Sequence, residues 1–149
     1  MQSRLGIIGG AIGGIIMLLV DQISYSIGIS SVDTIGEFSR IFKLFGGSKS
    51  IISSWILYIT ITGLIGWLVA SILADAKKHS FVIYGAIIGV LLWLAMNIIF
   101  TDSQIGMPTW SMGVGSFIIS LISHIVLGLS ITYPIMRFGI KDKNMYESQ

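Results

Sequence analysis

The chain has 149 residues, of which 54% are hydrophobic and only 11% charged, and its mean hydropathy is +0.89. A soluble domain carries about 25% charged residues, so a water-soluble fold lacks the polar surface it needs, and a net charge of +2 offers no nucleic-acid footprint. There is no cysteine, which removes disulfides, thiolate zinc sites and iron–sulfur clusters.

Four apolar stretches cover most of the chain: Leu5–Ile29, Ile51–Leu73, Phe81–Phe100 and Met112–Met136. Each reaches the ~20 residues of helix that cross a bilayer core. They predict a single all-α domain, residues 1–149, built as an integral membrane four-helix bundle. Arg4 followed by Leu5–Val20 has the outline of a signal peptide. No small-x-small cleavage site follows, and apolar character resumes past Asp21-Gln22, so this segment is read as a retained first span.

The first span places Gly6, Gly10 and Gly14 on one helical face, with Gly9 and Gly13 beside them. A stripe without side chains lets another backbone approach closely, within one bundle or between copies. In the connector, Val32, Ile35, Phe38, Phe42 and Phe45 recur at helical steps, with Asp33, Glu37, Arg40 and Lys43 between them. This predicts an amphipathic helix over residues 32–45, capped by Ser30 or Ser31, closed by Gly46-Gly47 and lying flat at the interface. A docking helix or a lid over the bundle is the other reading.

The second span has no charged residue and carries a small-residue stripe, Gly66, Ala70 and Ala74. Its polar members are Tyr58, Thr60 and Thr62, and the threonines can bond back to their own helix. The basic turn from Asp75 to Ser80, with Lys77, Lys78 and His79, predicts an antiparallel hairpin of the second and third spans. The third span carries Gly85, Gly89, Trp93 and Asn97 at four-residue spacing. Asp102, Gly106 and Pro108 break the chain after it, and Trp110 is an interfacial aromatic. The fourth span puts Ser116, Ser120, His124, Gly128 and Thr132 on one face and Pro134 in its last turn. Residues 137–149 form a polar tail. Six basic residues (Arg4, Lys77, Lys78, Arg137, Lys141, Lys143) fall on the side of the termini and three (Arg40, Lys43, Lys49) on the other, which predicts both termini in the cytoplasm.

Two polar features stand out. His124 lies ~18 Å along its span by helix rise, near mid-bilayer, where ionisable groups face a bundle interior or a water-filled cavity. It is either a structural, hydrogen-bonded imidazole or a proton- or ligand-handling group. Asp21, Gln22, Asn97, Asp102, Ser116 and Ser120 fall toward the outer ends of their spans. Together they form either ordinary hydrated helix ends or a cation-attracting vestibule leading toward His124. Asp21 has no basic residue at its level unless Arg40 or Lys43 folds over it.

No cluster has metal-ligand spacing, no serine sits in a nucleophile elbow, and GIIGGAIGG lacks the lysine of a phosphate loop. The sequence therefore predicts no enzyme, no metal and no cofactor.

Tyr84-Gly85, Trp93 and Asn97-Ile98-Ile99-Phe100, with Ile8-Gly9-Gly10 and Gly128-Leu129-Ser130-Ile131 at plausible spacing, resemble the YqhR-type conserved membrane proteins of Bacillus-like bacteria. The proline that follows the asparagine in that pattern is Ile98 here. The resemblance implies a Gram-positive cytoplasmic membrane setting and transfers no catalytic residue. The favoured reading is a small non-enzymatic membrane protein. It would be an accessory or scaffold subunit that packs with itself as a homo-oligomer or with a larger membrane complex. The alternative is a small oligomeric channel or transporter with an outer polar mouth and a mid-membrane histidine.

Overall fold

The structure, a computed structural model, describes residues 2–44, 51–73, 80–103 and 107–139. Among them are five α-helices and no strand: α1 (Gln2–Ser26), α2 (Thr34–Leu44), α3 (Ile51–Ile72), α4 (Phe81–Ser103) and α5 (Val114–Pro134). All but α2 are long and apolar enough to cross a membrane, so the chain is a small all-α membrane protein with a four-helix bundle. Apolar sequences of this length fold as helices because only the backbone itself is there to satisfy backbone polar groups in lipid.

The helix ends explain where sequence and structure part. The first span stops at Ser26, not Ile29, because Gly28 turns to φ 77° and the amides of Ile29 and Ser30 fold back on the Ser24 carbonyl at 3.0 and 3.1 Å. Asp33, not Ser30 or Ser31, caps α2: its Oδ1 accepts the Gly36 amide at 3.0 Å. α4 runs one turn beyond Phe100, and Thr101 Oγ1 bonds the Asn97 carbonyl at 2.8 Å within that turn. α5 passes at Pro134 into a π turn, Ile135–Gly139. Pro134 has no amide to give the Ser130 carbonyl, and Gly9 of α1 packs against that oxygen.

Ala74, the basic turn with Lys77, Lys78 and His79, the segment Phe45 to Gly47, Lys49, Lys141 and Lys143 lie outside the described residues.

α1 and α5 form the central pair, with α3 packed on α1 and α4 on α5. The consecutive helices α3 and α4 are therefore not a packed hairpin; they stand on opposite flanks and make no extended contact. Glycines make each close interface. Gly6, Gly10 and Gly14 meet Gly66, Ala70 and Thr62 of α3. Gly9 and Gly13 meet Leu127, Ser130 and Ile131 of α5, and Gly85 and Gly89 meet His124, Ile125, Gly128 and Leu129. The small-residue faces thus pack within one protomer, where dispersion at short range supplies the attraction that lipid-soluble side chains cannot. Leu18, Ile131 and Ile135 are fully buried between them, while Ile8, Ile12, Ile56, Leu64, Ile83 and Ile118 point outward. α2 lies across the far end of α1 and α3, where Phe38 meets the Tyr58 ring edge-to-face at 5.0 Å.

Candidate functional site

Asp21 is the centre of the α2 end. It sits on the buried face of α1, one helical turn beyond Met17 and Leu18, and is 4% exposed. Its Oδ1 accepts the Ser123 hydroxyl of α5 at 2.8 Å and its Oδ2 the Thr34 hydroxyl of α2 at 3.1 Å. One carboxyl group thereby ties three helices together. α2 does fold over Asp21, but it brings a hydroxyl there and not Arg40 or Lys43, both of which are exposed.

Asn97 organises the opposite wall. Its Nδ2 donates to the Trp93 carbonyl at 2.8 Å, and its Oδ1 accepts both the amide (2.6 Å) and the hydroxyl (2.9 Å) of Thr109. This fixes the short 3-10 turn Thr109–Ser111 against α4. Asn97 is 1% exposed and uses all its polar atoms internally.

His124 places Nδ1 2.8 Å from the Ser120 carbonyl one turn earlier on α5. A carbonyl oxygen only accepts, so Nδ1 carries a proton in this contact, which in a neutral ring leaves the lone pair on Nε2.

These residues line one cavity of about 210 Å³. Its walls are Met17 and Asp21 of α1, Tyr58, Ile61, Thr62 and Ile65 of α3, Leu92, Ala95, Met96, Asn97, Ile99 and Phe100 of α4, and Ser120, His124 and Leu127 of α5. Val32, Thr34, Glu37 and Phe38 cover it and Thr109 closes a corner. Lining residues that keep accessible surface, Ile61 and Ile65 on α3 and Ala95 and Ile99 on α4, mark its open flank between those two helices. Glu37 is half-buried at the α2 side. Burial pushes its carboxyl up to about 7, against the opposing pull of Arg40, with Asp33 and Asp21 adding to the rise.

Of the polar residues singled out in the sequence, Asp21, Asn97, Ser120 and His124 meet at the cavity, and Gln22, Asp102 and Ser116 lie outside it. Asp102 is exposed on the extra turn of α4. Ser116 is buried, but it accepts the Ser31 amide at 2.8 Å and lies 3.4 Å from the Ser30 hydroxyl, holding the α1–α2 link to α5. Gln22 Oε1 is buried without a hydrogen-bond partner, away from the cavity. Thr34, Glu37, Phe38, Tyr58, Thr62 and Thr109 complete the lining. The Tyr58 hydroxyl is the unusual member: the residue is 5% exposed and its oxygen has no hydrogen-bond partner.

The class is thus defined: a small helical membrane protein with a mixed polar and apolar cavity at one end of the bundle. The chain belongs to a family of unknown function (DUF6789), whose model matches residues 1–144. No curated protein and no solved structure matches it.

Proposed function

We propose that the protein is a non-enzymatic, solute-binding membrane protein of the small-transporter type. It sits in a bacterial cytoplasmic membrane with both termini in the cytoplasm and the cavity in the outer half. The convergence of Asp21, Asn97, Ser120 and His124 from three helices onto one cavity carries this reading. The lysine and arginine distribution and the resemblance to YqhR-type proteins support the setting. Polar groups in a membrane interior are costly and mark solute or ion pathways.

The chemistry supports binding over catalysis. Among the described residues, the imidazole Nδ1 bonds a helix carbonyl and not a hydroxyl, and the Ser123 hydroxyl, which donates to the Asp21 carboxylate, is fully buried outside the cavity lining. The half that holds the termini is packed backbone to backbone, Gly6 on Gly66 and Gly85 on Gly128. Passage of a solute therefore requires the helices to move apart there, in one protomer or in a homo-oligomer, and not a fixed pore.

The absence of cysteine makes the test direct, because Ser120→Cys introduces the single thiol of the chain. N-ethylmaleimide, which crosses lipid and so reaches the flank open between α3 and α4, is expected to modify Ser120→Cys in intact cells. Thr132→Cys, fully buried in the opposite half, is expected to stay unmodified. Equal inertness of both thiols rules the reading out.

A further inference from the structure

The lining has an imbalance of hydrogen-bonding character. Asp21 retains lone pairs beyond those used by Ser123 and Thr34, Glu37 adds a second carboxyl group, and His124 presents Nε2. Against these acceptors stand two uncommitted hydroxyls, Ser120 and the buried Tyr58, each able to accept as well as donate. Arg40, whose charge acts on Glu37, is exposed and outside the lining. Most of the remaining lining is apolar, and Phe38 and Tyr58 add aromatic rings to it. A guest matched to this lining donates hydrogen bonds, carries positive charge and has an apolar body.

We propose that the cavity binds a monoalkylammonium ion. Its N–H groups meet Asp21, Glu37 and the Tyr58 oxygen, and its apolar chain lies along Ile65, Leu92 and Leu127 toward the open flank between α3 and α4. This rests on the solute-binding reading above and names its ligand class. Tyr58 lines the same cavity, and its buried hydroxyl has no hydrogen-bond partner. An apolar cavity of about 150 Å³ holds benzene, so about 210 Å³ accommodates a chain of about six carbons. A phospholipid amine brings its phosphate beside the same two carboxylates, which repel it. The guest is therefore a free amine and not a lipid headgroup.

The experiment is equilibrium dialysis of radiolabelled hexylamine against the full chain in phosphatidylcholine nanodiscs, with empty discs as the blank and hexanol and hexanoate as matched probes. The expected result is saturable hexylamine binding, one per protomer, with hexanol and hexanoate at the level of empty discs. Asp21→Asn and Glu37→Gln each weaken it about tenfold, the scale of a charge-assisted hydrogen bond. Tyr58→Phe keeps the ring and the fold and weakens it about threefold. Hexanol binding as tightly as hexylamine, unchanged in Glu37→Gln, overturns the cationic ligand and leaves the cavity reading standing. Replacing a third of the lipid with phosphatidylethanolamine is expected to change nothing; suppression of hexylamine binding assigns the site to lipid. If no probe binds above empty discs, both the ligand class and the solute-binding reading fall.

Discussion

The tightest test of the fold is Gly89→Ala on α4. A Cβ built there meets the Ile125 Cα and the His124 carbonyl oxygen of α5, both at 2.5 Å. Carbon–carbon contact is optimal at about 3.5–4.0 Å, so α4 and α5 must separate by about 1 Å at this level. Both obstructing atoms are backbone, so no side chain can swing away. A gap of that size forfeits about a quarter to a half of each affected dispersion contact, and Gly85 and Gly128, packed on each other nearby, lie in its path. The cost falls in the overpacking range, about 1–3 kcal/mol. Gly63→Ala on α3 is the matched control, because its Cβ finds nothing closer than 3.8 Å, an ordinary contact. Reversible unfolding in bicelles, read by steric trapping, measures both variants. The expected result is a clear loss for Gly89→Ala and a change under about 0.5 kcal/mol for Gly63→Ala. Equal stability of the two refutes the backbone-contact packing of α4 on α5.

Three further outcomes follow from the α2 end. Asp21→Ala strands the buried Ser123 and Thr34 hydroxyls, at about 1–3 kcal/mol, whereas Asp21→Asn keeps an acceptor. The alanine variant is expected to unfold more easily in the same bicelle assay, and equal stability of the two contradicts the assignment. Asn97→Ala releases the amide and hydroxyl of Thr109, so hydrogen exchange over residues 107–111 is expected to accelerate; unchanged protection there counts against the wall described. Glu37 gives a pH dependence of defined sign. Its carboxyl lies at about 7 in the folded protein against an ordinary 4.5, so the folded state binds more protons in that window. Stability from this group is complete below about 4.5 and is lost as pH rises through about 7. Exchange protection of α2 is expected to be greater at pH 5 than at pH 8, and Glu37→Gln to flatten that difference. Protection that rises with pH in the wild-type chain contradicts the burial of this carboxyl.

The spans and the glycine faces were legible because helix periodicity maps spacing of four directly onto one face. Gly6, Gly10, Gly14, Gly85, Gly89 and Gly128 each meet another backbone or a short side chain. Gly63, which belongs to no such stripe, has room for a methyl group. Periodicity carries no information about partners, and there the sequence was silent. A short turn suggested that α3 and α4 pair, yet α1 offers α3 a longer glycine face than α4 does, and α5 takes α4. The site was half visible for the same reason. Asp21, Asn97, Ser120 and His124 announce themselves as polar residues inside apolar spans. Tyr58 and Glu37 do not: a tyrosine in a span reads as an ordinary polar member, and Glu37 falls on the polar face of an amphipathic helix. Their place in the lining depends on α2 covering this end of the bundle, with Phe38 packed on Tyr58. Asp102 misled because Thr101 extends α4 by a turn and carries it outward.

The cavity and the glycine stripes have one cause. Between Gly6 and Gly14 on α1, and Gly85 and Gly89 on α4, the small residues admit close backbone contact between helices. Past those points the inward positions become Met17 and Asp21 on α1, and Trp93 and Asn97 on α4. Met17, Asp21 and Asn97 line the cavity at this level. α2 covers this end: Phe38 packs on Tyr58, and the Thr34 hydroxyl donates to Asp21. A bundle with glycine at every inward position would be sealed from end to end. This one is packed tightly along its glycine faces, and its buried carboxylate, imidazole and unpartnered phenol lie toward the α2 end of those faces.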